Sequence, residues 1–143
     1  AHASLGWIAM TYDNDLAAAA RHIERALQLE PSNPRILRNT ATLDASSGRW
    51  DEAIASYRTA LALSPGLSGG QFGIGMALLL KGEPQAALEA MQSEDAIWGM
   101  IGLPLAYHAL GRKDESDAAL ATVPGEYWQV ARAISRDRIQ CNA

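Results

Sequence analysis

At 143 residues, with 12 basic and 16 acidic side chains, the chain carries a formal charge of −4, which excludes an electrostatic case for binding nucleic acid. Its 48% apolar and 20% charged residues describe a globular domain rather than a disordered one. Twenty-seven alanines and seventeen leucines against two valines favour helix over sheet, Cys141 alone excludes an internal disulfide or thiolate metal cage, and no apolar run reaches the roughly eighteen residues of a membrane span.

In chain order, Ala1-His2-Ala3-Ser4 has no initiator Met, basic stretch or long apolar core, so it does not read as a signal peptide; a segment of a longer cytoplasmic protein is the expectation. Helices are predicted at about 2–12, 15–29, 34–46, 50–63, 69–81, 84–91, 95–110, 113–122 and 126–140. Ser32-Asn33-Pro34 reads as a helix start, Pro84 opens a second, and Gly48, Gly82 and Gly111 read as residues just past helix ends. Two stretches break the pattern. Pro104, costing roughly 3 kcal/mol inside a helix, predicts a kink or a helix beginning near Leu103. Gly69, Gly70, Gly73 and Gly75 each cost about 1 kcal/mol against Ala in a helix, which close packing or room in a groove would explain.

The chain repeats itself. Leu16–Pro31 and Trp50–Pro65 align without a gap, so that Ala19 and Ala53, Ile23 and Tyr57, Ala26 and Ala60, Leu27 and Leu61, Leu29 and Leu63, and Pro31 and Pro65 are each 34 residues apart. A third unit follows, from Gly48 to Gly82, Ala53 to Ala87 and Tyr57 to Met91, until the register decays where Ala60 would fall on Glu94. A fourth covers Leu103 to Val123, with Gly111 at an offset of 29 from Gly82. This period, with Gly48-Arg49-Trp50-Asp51-Glu52-Ala53, Tyr57, Ala60 and Pro65, resembles the tetratricopeptide repeat, a helix-turn-helix unit. The first helices match less well: Leu37, Thr40-Ala41 and Asp44, then Ile74-Gly75 and Leu78, stand where that family often has Trp, Leu-Gly and Tyr. Tyr12 to Ala19 and Ala106 to Lys113 are also similar to the repeat regions of bacterial winged-helix regulators and class III nucleotide cyclases.

The resemblance implies an all-α, right-handed superhelical solenoid of about four units, near 1–31, 32–65, 66–92 and 93–123, followed by a terminal helix over 124–143, all in one domain. Ala19, Ala53 and Ala87 would sit at close helix crossings, with Ile23, Tyr57 and Met91 filling the space between units.

Chemistry is sparse. Gly69-Gly70-Gln71-Phe72-Gly73-Ile74-Gly75 matches neither a dinucleotide fingerprint nor a phosphate loop. His2, His22 and His108 lie too far apart for a helical metal site, and no nucleophile elbow occurs. The acidic clusters Asp13/Asp15, Asp51/Glu52, Glu94/Asp95 and Asp114/Glu115 fall in first turns of predicted helices, where they complement the dipole. No catalytic, cofactor or metal residue is assigned, and the expectation is a non-enzyme. In the resembling family the first helices line a concave groove. That implies a surface of Ser4, Ile8 and Tyr12; of Arg35, Arg38 and Thr42; of Phe72, Met76 and Leu79; and of Trp98, Ile101, Leu105 and His108. Arg35 and Arg38 share a helix face and suit acidic groups, while Phe72, Met76, Trp98 and Ile101 suit apolar anchors. Asn39 with these arginines does not reproduce the Lys/Asn/Arg clamp by which some members grip a terminal carboxylate.

The expected function is a protein-interaction module binding a peptide or partner domain with acidic and apolar residues, without nucleic acid or membrane. The alternative is self-association, or an intramolecular sensory role within a bacterial regulator. There the last helix decides: Trp128, Val130, Ala131 and Ile134 want cover, whereas Arg132, Arg136, Asp137 and Arg138 suit a solvent-facing cap.

Overall fold

The computed structural model describes residues 15–94 and 96–127; the expectations for Ser4, Ile8, Tyr12, the helix over 2–12, and the terminal helix beyond Tyr127 lie outside them. All regular structure among the described residues is helical. Seven α-helices run as α1 (Leu16–Leu29), α2 (Pro34–Ser46), α3 (Trp50–Leu63), α4 (Gly70–Lys81), α5 (Pro84–Gln92), α6 (Ala96–Ala109) and α7 (Lys113–Ala121), with a 3-10 turn at Gly125–Tyr127.

Their ends follow local chemistry. Asp15 Oδ1 accepts the Ala18 N–H at 2.8 Å to start α1, Asn33 Oδ1 accepts that of Arg35 at 3.0 Å to start α2, and Pro34 and Pro84 occupy first-turn positions where no donor is needed. Gly48, Gly82 and Gly111 are left-handed, at φ +78°, +82° and +72°. At each, a six-residue loop closes: Arg49 N–H to Asp44 O, Glu83 N–H to Leu78 O and Arg112 N–H to Tyr107 O, all at 2.9 Å. This is the Schellman arrangement, and it turns the chain back so that the next helix packs on the last.

Alanine makes the close crossings. Ala19, Ala53 and Ala87 are fully buried, and Ile23, Tyr57 and Met91, one turn on, are buried beside them. Apolar clusters follow one another along the chain: Ala19, Ile23 and Leu43 join α1 to α2; Ala41, Ile54, Tyr57, Ile74, Leu78 and Ala87 span α2 to α5; Met76, Leu88, Met91 and Leu105 tie α4, α5 and α6. Each helix pair thus completes its core on its neighbour, as a helical-repeat solenoid requires.

The glycines of α4 serve contact. A Cβ on Gly73 would lie 2.2 Å from Tyr57 Cζ, one on Gly70 2.7 Å from Leu61 Cδ2, and one on Gly75 2.7 Å from Met91 Cγ, so close packing accounts for these three. Pro104 does not begin a helix near Leu103: α6 runs through it. The buried Ser116 of α7 donates its hydroxyl to the Pro104 carbonyl at 2.9 Å.

Candidate functional site

Beyond sequential neighbours, α2 touches α4 and α4 touches α6. The first helix of each pair therefore belongs to one row, and its exposed strip is the candidate surface.

On α2, Arg35 is exposed, and its guanidinium has no carboxylate partner among the described residues. Arg38, one turn on, donates from Nη1 to the Ser68 carbonyl at 3.2 Å, reaching from its own helix to the loop that precedes α4. Thr42 is committed to the scaffold: its hydroxyl donates to Arg38 O at 3.0 Å and shares a 2.9 Å hydrogen bond with Tyr57 Oη. Asn39 is buried.

On α4 and α6, the rings of Phe72 and Trp98 are half-buried and lie 5.0 Å apart between centroids with a 36° tilt, within the distance range of favourable aromatic pairs. Met76 and Ile101 are not surface residues; at 8% and 3% exposure they belong to the core, as does Leu105. The reason is geometric, since α4 and α6 are covered by their own partner helices and by each other. Leu79 is half-buried against the same core. His108 is exposed in the last turn of α6.

Sequence reasoning missed the feature that assembles this region. Glu94 reaches back to the start of α4. Its carboxylate accepts the Gly69 N–H at 3.2 Å (Oε1) and the Phe72 N–H at 2.7 Å (Oε2), closing the first turn of α4, which has no side-chain cap of its own. The signal was present: Gly69-Gly70 supplies no capping side chain, and Glu94 is the residue at which the 34-residue register fails. Of the other acidic clusters, Asp51/Glu52 and Asp114/Glu115 do occupy first turns.

Away from this face, four cations are paired with carboxylates among the described residues, whereas Arg21, Arg25 and Arg58 are not. Arg49 bonds Asp44, Lys81 bonds Asp51 at 2.7 Å and Glu83 at 3.1 Å, Arg112 bonds Glu115, and Lys113 bonds Asp117. Arg112 also lies 4.9 Å from the Tyr107 ring centroid. Its guanidinium holds the Glu115 carboxyl below the usual range. No group of three or more metal-ligating side chains occurs among the described residues, and no helix among them is long and apolar enough to cross a membrane.

The model of the tetratricopeptide repeat matches residues 12–68 and again residues 46–99, together more than half of the chain. Among solved structures, a mutant of the O-GlcNAc transferase of Thermobaculum terrenum superimposes with a TM-score of 0.68 at 25% identity, covering 75% of this chain but 21% of the transferase. The crystal structure of MamA gives 0.62 at 23% identity, covering 80% of this chain and 70% of MamA. No curated protein matches the sequence. Neither structure carries the narrower likeness to winged-helix regulators or nucleotide cyclases. With the repeat's sequence pattern, left-handed glycine turns and buried alanine column all in place, the chain belongs to the tetratricopeptide repeat family, whose helical stacks are protein-interaction modules.

Proposed function

We propose that this chain is a non-catalytic interaction module that takes a peptide or partner segment carrying acidic and large apolar residues on the face of α2, α4 and α6, within one domain of units near 1–31, 32–65, 66–92 and 93–123 and a terminal helix over 124–143. The observation that carries this reading is the exposed Arg35 guanidinium beside Arg38. Neither has a carboxylate partner among the described residues, and unlike Arg21, Arg25 and Arg58, which have none either, they stand on the row of α2, α4 and α6 beside its aromatic pair. Phe72 and Trp98 supply a half-buried aromatic pair on the next two helices of the row, and aromatic and Arg anchors dominate binding energy at interfaces. His108 lies further along α6. A cytoplasmic regulatory protein is the setting this reading expects.

The test is fluorescence polarisation with a library of labelled acidic–apolar peptides against the natural chain and an Arg35→Glu/Arg38→Glu variant whose helicity is checked by circular dichroism. Peptides bound by the natural chain should lose at least about tenfold in affinity on the variant, and binding should weaken with salt. Equal binding by both proteins overturns the reading.

Self-association is the second reading. Leu29 and Leu63, equivalent in the repeat and each the last residue of its helix, are 58% and 52% exposed. If they join copies, a concentration-dependent rise in mass by sedimentation velocity disappears in Leu29→Glu/Leu63→Glu; a constant monomer mass excludes it.

A further inference from the structure

The guanidinium of Arg38 and the indole of Trp98 come from helices sixty residues apart in sequence, yet both rest on one dipeptide. Arg38 Nη1 is 3.2 Å from the Ser68 carbonyl, and a Cβ placed on Gly69 would lie 3.4 Å from Trp98 Nε1. Covalent geometry across Ser68–Gly69 then limits the separation of guanidinium and indole to about 11 Å. The dipeptide is held in place: Gly69 is left-handed at φ +80°, and Glu94 clamps the amides of Gly69 and Phe72. Phe72, beside Trp98, widens the apolar side of this arrangement, and Arg35 adds an unpaired charge one turn from Arg38.

From this we infer that the two anchors form a single composite pocket floored by Ser68–Gly69, reading one short linear motif in which an acidic side chain and a large apolar side chain lie close together on the same side of the segment. The inference rests on the groove reading above and narrows it. An extended segment puts residues i and i+2 on one face about 6.6 Å apart, within the 11 Å limit once side-chain reach is included. The motif that fits is acidic–x–large apolar, and a ligand whose acidic and apolar residues are far apart cannot use both anchors at once. The Ser68 carbonyl occupies one of the five N–H groups of Arg38, so the remaining donors still serve a carboxylate.

The experiment uses three fluorescein-labelled peptides, with a Glu-Glu pair and a Phe-Leu pair separated by one, four or eight prolines. Prolines act as rigid spacers of about 3.1 Å per residue step, so eight hold the facing residues of the pairs about 28 Å apart. Each is titrated against the natural chain and the Arg35→Glu/Arg38→Glu variant. The expected result is that the one-proline peptide binds at least about tenfold tighter than the eight-proline peptide and that this preference vanishes in the variant. Equal binding of all three, lost in the variant, overturns the composite pocket while leaving the groove reading standing. Binding of none, or binding that the variant does not change, overturns both.

Discussion

The carboxylate of Glu94 accepts the backbone N–H of Phe72 at 2.7 Å, across twenty-two residues and from beyond the end of a different helix. The first turn of α4 thereby obtains its acceptor from the segment leading into α6. Charge-assisted hydrogen bonds of this kind contribute about 1.5–3 kcal/mol, and the helix dipole adds to them. Glu94→Gln keeps the shape, removes the charge and turns an amide donor toward one of the two N–H groups. It should lower stability in urea by about 1–3 kcal/mol and speed hydrogen exchange at the Gly69 and Phe72 amides. Unchanged exchange at those two amides would count against the capping role.

Gly73 and Gly48 are needed for different reasons, and substitution separates them. At Gly73 an alanine methyl meets the Tyr57 ring, so Gly73→Ala should cost about 1–3 kcal/mol by overpacking, and a second change, Tyr57→Leu, should recover part of it. At Gly48 the space is open but φ is +78°. Gly48→Ala should cost about 1–2 kcal/mol, Gly48→Asn less because Asn tolerates the left-handed region, and Tyr57→Leu should recover nothing. Thermal unfolding of the six proteins checks the pattern.

Ser116 is one of two polar residues buried in the described core, and its hydroxyl donates to the carbonyl of the proline inside α6. Removing the donor leaves that carbonyl with less than its full complement, so Ser116→Ala should destabilise by about 1 kcal/mol, while Ser116→Val, which brings in a larger apolar group, should cost more. The packing of α7 on α6 reports the change through exchange protection at Ala119 and Leu120, which should fall before that of α3.

Lys81, the last residue of α4, reaches Asp51 in the first turn of α3 and Glu83 beyond its own helix. Those hydrogen bonds, Asp51 first, raise its pKa above the ordinary 10.5. A raised lysine stabilises fully below its unfolded pKa and loses that contribution as pH climbs through the folded value. The natural chain should therefore be slightly more stable than Lys81→Gln near neutral pH, with the difference shrinking above about pH 10.5. A gap that widens in alkali would refute the pairing.

Helix boundaries were legible because their signals are local. Asn33-Pro34, Pro84 and the three turn glycines each act within a few residues, and the observed ends fall within about two positions of expectation. The alanine column was legible because one fold constraint recurs at each crossing. What was not legible depends on neighbours remote in sequence. Met76 and Ile101 share a helical face with groove positions, but contact from both sides leaves each helix of the row a narrower exposed strip than periodicity suggests. Pro104 breaks a local rule that tertiary packing overrides, with Ser116 supplying a contact that no nearby residue could announce. Glu94 reads as an ordinary first-turn acid until its partner on α4 is seen.

The shortness of α5 bears on how far this stack is made of interchangeable parts. Its 9 residues against the 14 of α3 let the chain turn early, so that an acid arrives where the preceding unit has Ala60. Lengthening α5 by five residues would make it as long as α3, but it would carry Glu94 about 7.5 Å along the helix axis and leave the start of α4 without its acceptor. Unit one could be exchanged for consensus sequence without touching this corner, whereas a consensus third unit of full length would displace Glu94 and take away the cap on which the Phe72–Trp98 corner is built. The irregular repeat is thus the one whose order in the chain is fixed.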